Sequence, residues 1–205
     1  ALQIEISVFE FSAFNCTHFE FFACPPVIEI GSEKGMSFSF ASFFNLSREL
    51  VKLFNISAPV KEEEIFFENG IRFKRALAPD RNKIIEYSKT CGGEDYSAEV
   101  QAAFANNPIT CYIATKDKEL IGFACFEATA KNFFGPMAVS SEYRKHGIGK
   151  ILLLKSLYSM QEMGYGYAII GWPTKSAIPF YEKCVGATLI EDESLGIYRR
   201  MINVD

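Results

Sequence analysis

A strand, a basic glycine loop and a long helix follow one another in residues 133–164, FFGPMAVSSEYRKHGIGKILLLKSLYSMQEMG. Residues 133–139 are apolar and bulky enough for a buried strand. Over residues 148–163 the apolar side chains recur at helical spacing, while lysine, serine and glutamate fill the other face. Gly164 is suited to the left-handed position that ends a helix. The order predicts a buried strand, a short loop and an amphipathic helix.

The loop of residues 144–150, RKHGIGK, has the composition of an anion site. The first turn of a helix leaves backbone N–H groups without partners, and the helix dipole places partial positive charge there. Gly147 and Gly149 carry no Cβ atom that would keep a ligand away from those donors. Arg144 and Lys145 add full positive charges beside them. These features predict a site for a phosphate or pyrophosphate group.

The loop departs from two well-known phosphate motifs. A Walker loop would need glycine at position 144 and serine or threonine at 151, where this chain has Arg144 and Ile151. A dinucleotide-binding fingerprint would need glycine or alanine at the position of Leu152. The remaining pattern is R-x-x-G-x-G between a strand and a helix.

Residues 167–190, YAIIGWPTKSAIPFYEKCVGATLI, continue the pattern with a short buried strand, a break at Trp172–Thr174 and a helix over 176–183. Together with the glycine loop, this stretch resembles the GNAT N-acetyltransferase superfamily, which commonly carries N-x-x-A-x-x-F-Y-x-x-x-G here. The matching residues are Ala177, Phe180, Tyr181 and Gly186. Thr174 replaces the usual asparagine, and one extra residue separates Tyr181 from Gly186.

The resemblance covers residues 71–205 and implies an α/β (α+β) fold, with a mixed, mostly antiparallel twisted sheet flanked by helices. It also implies acetyl-CoA as cofactor, with the pantetheine arm on the backbone of one strand and the pyrophosphate on the glycine loop. Pro136 has no N–H, so an interruption of strand pairing there would fit this arrangement. The cofactor contacts that the resemblance implies are Met137, Ala138, Val139, Arg144, Lys145, His146, Gly147, Ile148, Gly149, Lys150, Thr174 and Ser176.

Four residues are candidates for proton transfer, one as the acid and three as the base. By resemblance, the hydroxyl of Tyr181 points at the cofactor sulfur and can protonate the leaving thiolate; alternatively, Tyr181 only packs under its helix. An alkyl ammonium has a pKa of about 10.4, roughly 4 kcal/mol from its reactive form at neutral pH, so a base is needed. Glu127, at a strand end, is the first candidate, although a solvated strand-end charge is the alternative. Glu191 and Asp192 are weaker candidates.

Composition excludes several classes of protein. A net charge of −4 and a pI near 5.4 argue against a nucleic-acid binder. Six cysteines without a pairing pattern and two histidines predict free thiols and no metal site. No apolar run reaches the ~18 residues that span a bilayer, and Glu5 and Glu10 interrupt the N-terminal apolar stretch, so neither a membrane nor a signal segment is expected. The expected compartment is the cytoplasm.

Residues 1–64 are predicted to form a separate Phe-rich extension, before a catalytic domain at 65–205. Fourteen of the twenty phenylalanines precede residue 74, and no family resemblance is apparent in the extension. The phenylalanines either fill a small core or form a surface that docks on the catalytic domain or on a second subunit of a homodimer. Within the extension, the expectations are a strand at 2–8, a short helix at 47–54 and a linker at 57–64.

The elements from residue 65 onward follow from turn signals. Asn69-Gly70 between two apolar runs predicts a β-hairpin. The pair Gly92-Gly93 separates two predicted helices, one ending near Thr90 and one at 97–105. Further predicted elements are strands at 71–77, 110–115 and 120–128, and a final hairpin formed by 187–190 and 196–202.

Two functions remain open from the sequence. The first is an acetyl-CoA-dependent N-acetyltransferase, in which a small-molecule or peptide amine attacks the thioester directly. The second is a binding or regulatory module of the same fold, which holds an acyl-CoA without turnover. The intact glycine loop and Tyr181 favour the enzyme, whereas the missing asparagine at Thr174 and the uncertain base leave the second function open.

Overall fold

The structure is a computed structural model that describes residues 47–191 and 194–202. Expectations for residues 1–46, including the strand at 2–8, lie outside these ranges. The strands are β1 (Arg48–Lys52), β2 (Ile71–Arg75), β3 (Cys111–Lys116), β4 (Glu119–Phe126), β5 (Phe133–Val139), β6 (Tyr167–Gly171) and β7 (Thr188–Leu189). The helices are α1 (Val60–Phe67), α2 (Arg81–Ala105), α3 (Ile148–Glu162) and α4 (Ile178–Val185).

The strands form one mixed sheet in the order β2-β3-β4-β5-β6-β1-β7. Neighbouring strands are antiparallel except β5 and β6, which are parallel. One apolar core joins the sheet to α3 and α4, and a second lies against α2 on the other face. The predicted mixed, mostly antiparallel sheet flanked by helices is therefore confirmed.

Several local predictions match the structure closely. β5 and β6 have the predicted bounds, and α3 begins at Ile148 as its apolar periodicity indicated. Gly164 and Gly186 follow α3 and α4 with φ of 94° and 62°, the left-handed conformation that glycine adopts without strain. The backbone at Gly92 and Gly93 is non-helical, so α2 consists of two helical parts that meet where the break was predicted.

The predicted helix at 47–54 is wrong, because residues 48–52 form β1. This strand pairs with β6 over its whole length and with β7 at Glu49 and Leu50. The sheet supplies the hydrogen-bond partners that a short isolated helix would have to supply itself, and tertiary pairing outweighs local helix propensity. The domain boundary between residues 64 and 65 stays a prediction. β1, which precedes this boundary in the sequence, is a strand of the same sheet.

The predicted linker and hairpin around residues 57–70 are also wrong, because α1 occupies this stretch. Glu62 and Glu63 lie in the first turn of α1, where negative charge suits the helix dipole. Asn69 and Gly70 donate their backbone N–H groups to Phe66 O and Phe67 O at 3.1 Å each, so the Asn-Gly pair ends a helix rather than joining two strands.

The second strand of the predicted final hairpin is wrong as well. Gly196–Arg200 is a 3₁₀ helix, and β7 pairs with β1. Arg48, at the start of β1, donates from Nη2 to Ser194 O at 2.9 Å. Because β1 already lies between β6 and β7, residues 196–200 lie against the sheet instead, and the Tyr198 ring packs on Phe133 with centroids 6.4 Å apart.

Candidate active site

The strand β5 separates from β6 halfway along its length. Only Phe133 and Phe134 pair with β6, whereas Met137 and Val139 have partners on β4 alone. Ser140 N–H bonds to Ile121 O at 2.9 Å, and peptide groups alternate in direction along an antiparallel strand. The peptide groups of Met137 and Val139 therefore face the opening, and those of Ala138 face β4.

The glycine loop lies at the end of this opening. Arg144, Lys145 and His146 are exposed, and Gly147 has a φ of 89°, which lets the chain turn directly into α3. Arg144 Nε donates to Val139 O at 2.9 Å and so fixes the loop to the open strand. The first turn of α3 contains no acidic residue, which leaves its backbone N–H groups and the nearby basic side chains available to an anion.

Gly149 faces the space between the open strand and α4. A Cβ atom at this position would lie 3.6 Å from Phe180, 3.8 Å from Val139 and 3.9 Å from Met137. The next residue, Lys150, lines a cavity of about 280 Å³ between α3 and α4. The outer wall of this cavity includes Asn55, Ile56, Ser57 and Glu62. The glycine leaves room for a ligand chain to run from the loop into the opening.

Tyr181 lies in α4 directly beside the opening. Its ring packs against Phe134 and Phe180, with centroids 6.2 and 5.1 Å away. Within the described ranges its hydroxyl makes no hydrogen bond. Burial first, and then the neighbouring Tyr96 and Glu49, raise the pKa of Tyr181. The phenol therefore keeps its proton at neutral pH.

Thr174 and Ser176 lie at the start of α4. Thr174 O accepts backbone bonds from Ala177 at 2.8 Å and from Ile178 at 3.3 Å. The two hydroxyls are 3.0 Å apart and bond to each other. Thr174 is half-buried and Ser176 is exposed, and the bonds to the beginning of α4 come from the Thr174 backbone carbonyl rather than from these side chains. Their predicted contact with a cofactor stays a prediction.

Glu127 follows β4, and its carboxylate is already occupied. Lys131 Nζ donates to Oε2 at 2.8 Å, and the Tyr165 hydroxyl donates to Oε1. Burial opposes ionisation of Glu127, but the hydrogen bonds from Lys131 and Tyr165 outweigh it and lower its pKa. A carboxylate held in this way is a weaker base than a free one, so the predicted role of Glu127 as general base has little support. Glu191 is exposed, and Asp192 lies outside the described residues.

Glu49 is a candidate that sequence reasoning missed. It lies in β1 with a fully buried side chain, and within residues 47–191 and 194–202 neither carboxylate oxygen has a hydrogen-bond partner. Burial, and then the charge of Glu182, raise the pKa of Glu49 to about 7. The only sequence signal was a glutamate among apolar residues in RELVKL, and it becomes informative only when the segment is placed in the sheet.

Glu49→Gln is expected to remove a pH dependence of stability. The folded-state pKa of Glu49 lies above its ordinary value, so folding favours the protonated carboxyl. The stability that this protonated side chain contributes is fully present below about pH 4.5 and is lost as the pH rises through 7. At pH 8.5 the variant should be more stable than the wild type by about 3 kcal/mol, and at pH 4.5 the difference should nearly vanish. Urea unfolding at both values measures this, with Glu119→Gln, an exposed carboxylate, as control. Equal differences at both pH values would contradict the expectation.

The described residues offer neither a metal site nor a membrane-spanning helix. The described part of the chain contains no group of three or more His, Cys, Asp or Glu side chains that could hold a metal ion. Cys91, Cys111, Cys125 and Cys184 are free thiols, and Cys16 and Cys24 lie outside that part. Among the helices of residues 47–191 and 194–202, none is long and apolar enough to cross a membrane.

Comparison with known proteins gives one family match and several similar folds. The model of the acetyltransferase (GNAT) family matches residues 80–187, more than half of the chain. A GCN5-related glucosamine N-acetyltransferase region of a fungal multi-domain GH3 beta-N-acetylglucosaminidase superposes with a TM-score of 0.56 and 13% identity, over 71% of this chain and 20% of that one. A GCN5-related N-acetyltransferase from Sphaerobacter thermophilus gives 0.53 and 15%, over 71% and 48%. A search of curated proteins finds no match.

Proposed function

Because the chain belongs to the acetyltransferase (GNAT) family, we propose that it transfers an acetyl group from acetyl-CoA to a primary amine by direct attack on the thioester. The observation that carries this proposal is the opening between β5 and β6. The peptide group of Met137 and the N–H of Val139, which have no partner on β6, lie beside the basic glycine loop. The acceptor is proposed to be a small-molecule or peptide amine.

The residues around the opening fit acetyl-CoA. The peptide group of Met137 and the N–H of Val139 can bond to the pantetheine amides, while Arg144 holds Val139 O. The N–H groups at the start of α3, with Arg144, Lys145 and Lys150, suit a pyrophosphate. Gly149 leaves the passage between them free. When bound, the cofactor supplies an activated acetyl thioester.

Tyr181 is proposed to protonate the departing sulfur. Its ring is held by Phe134 and Phe180, and its raised pKa keeps the hydroxyl protonated, so that a proton donor is present beside the sulfur as the carbon–sulfur bond breaks. The absence of a hydrogen-bond partner for this hydroxyl within the described ranges leaves it available to a bound ligand.

A screen of amines for CoA release tests the proposal. The purified chain is incubated with acetyl-CoA and each amine, and free thiol is measured against reactions that lack the amine. Amine-dependent release, with an acetylated product of the expected mass, is the expected result. Acetyl-CoA binding without turnover of any amine would favour the binding module instead.

A further inference from the structure

A second tyrosine, Tyr96 on α2, lies at the opening on the face of the sheet that packs against α2. Its ring packs edge-on against Phe123 of β4, with centroids 6.4 Å apart. Phe123 pairs with Ala138 of β5, and both Tyr96 and Ala138 pack against the apolar core on the α2 face. Ala138 belongs to the part of β5 that has no partner on β6. Tyr96 therefore borders the opening from the α2 side.

A third tyrosine, Tyr198 of the 3₁₀ helix, marks the β6 edge of the opening on the same face. A Cβ atom at Gly171, the last residue of β6, would collide with the Tyr198 hydroxyl. After burial, Glu99 contributes most to raising the pKa of both Tyr96 and Tyr198. Because an electrostatic contribution falls with distance, the side chain of Tyr96 extends along the sheet towards β6. The two tyrosines thus stand on the two sides of the opening.

Tyr96 and Tyr181 approach the opening from opposite faces of the sheet. After burial, Tyr96 contributes most to raising the pKa of Tyr181, which indicates that the two hydroxyls are close. Within the described residues neither hydroxyl makes a hydrogen bond, and the only side-chain oxygens that are sealed from solvent without a partner are those of Glu49. Both hydroxyls therefore reach open space, and the opening between β5 and β6 is the space that they share.

The ring of Tyr96 has no room to move away from the opening. A Cβ atom at Gly92, in the glycine break of α2, would collide with this ring, so the ring lies directly against the Gly92 backbone. Phe123, which is fully buried, packs against the ring from the sheet. A close-packed environment of this kind resists even one added methylene. Tyr96 is therefore a fixed wall of the opening.

The end of a bound acyl-CoA would meet this wall. The passage beside Gly149 leads past Met137 to the opening, where the proposed thioester lies beside Tyr181. The acyl group is the last part of the ligand, and Tyr96 faces it from the other side of the opening. We propose that the ring of Tyr96 restricts the acyl group at this site to acetyl. This inference rests on the proposed function, because it requires an acyl-CoA thioester beside Tyr181.

Titration calorimetry with CoA, acetyl-CoA and butyryl-CoA tests this role. The wild type is expected to bind butyryl-CoA at least roughly tenfold more weakly than acetyl-CoA, because one misplaced methylene in a closed pocket already has an effect of that size. Tyr96→Ala removes the wall and should bind the two acyl-CoAs with the same affinity. Its affinity for CoA should stay that of the wild type, because CoA has no acyl group that could meet the wall.

Three further variants control for general effects of the substitution. Tyr96→Phe keeps the ring and should keep the wild-type preference for acetyl-CoA. Tyr87→Ala removes a second tyrosine ring that packs on Phe123, with centroids 6.0 Å apart, but the Tyr87 hydroxyl bonds to Ser140 Oγ at 2.7 Å, beyond the end of β5. This variant should therefore keep the affinity ratio. Tyr96→Leu, a smaller apolar side chain, should weaken the preference and serves if Tyr96→Ala fails to fold.

The outcomes separate this role from the proposed function. Equal affinities of the wild type for the two acyl-CoAs, or a wild-type preference that persists in folded Tyr96→Ala or Tyr96→Leu, would overturn the role of Tyr96 while leaving acetyl transfer intact. A wild-type protein that prefers acetyl-CoA and acetylates no amine would overturn acetyl transfer and leave the role of Tyr96 in place. A wild-type protein that binds none of the three ligands would overturn both.

Discussion

Gly149→Asp is expected to abolish the binding of acetyl-CoA while the protein stays folded. A Cβ atom fits at this position, since its nearest neighbours would be 3.6–3.9 Å away. A negative charge in the first turn of α3 is favourable to the helix itself. The same charge would lie against the proposed pyrophosphate site, and the side chain would enter the passage towards Met137. The variant should therefore lose acetyl-CoA binding and keep its stability.

The measurement is the melting temperature with and without acetyl-CoA. A ligand that binds only the folded state at 100 times its Kd stabilises it by about 2.7 kcal/mol, so the wild type should show a clear shift. Gly149→Ala is the matched control, because it adds the Cβ atom without the charge, and it should retain most of the shift. Equal shifts in the wild type and a folded Gly149→Asp would remove the glycine loop from the cofactor site.

The parts of the fold that the sequence predicted well are those with strong local signals. The buried strand at Phe133–Val139, the helix that starts at Ile148 and the glycines that end α3 and α4 all depend on contacts close in sequence. The glycine pair in α2 likewise marked a real break. Such features are readable because periodicity and left-handed glycine positions act within a few residues.

The failures share a different cause. Residues 48–52 became a strand because β6 and β7, far along the chain, offer it hydrogen-bond partners. Nothing in SRELVKLF distinguishes that outcome from a short amphipathic helix. The final hairpin was wrong for the same reason, since β1 lies beside β7 in the place expected for residues 196–202.

The candidate site likewise contains residues that a local motif predicts and residues that depend on distant parts of the chain. The loop residues and Tyr181 belong to a local motif, and the structure places them around one opening. Glu49 acquires meaning only through burial and neighbours from other elements, which no local pattern contains. Glu127 shows the converse, because its strand-end position suggested a free carboxylate that the structure pairs with Lys131 and Tyr165.

Tyr181→Phe is expected to lower kcat by about 10²-fold while leaving acetyl-CoA affinity and stability nearly unchanged. The ring contacts with Phe134 and Phe180 are kept, and the lost hydroxyl has no partner within the described residues, so folding loses no hydrogen bond. A thiol with a pKa of about 8.5 is a tolerable leaving group even without assistance, so some activity should remain.

The assay is CoA release with an amine from the screen, beside a binding titration and a thermal melt on the same samples. Tyr158→Phe on α3, a half-buried tyrosine that packs against the same core, is the control and should behave as the wild type. A loss of kcat in Tyr181→Phe alone, with binding retained, places the proton donor at this hydroxyl. If kcat survives, the proton reaches the sulfur from water, and Tyr181 serves only the packing of α4 on β5 through its ring.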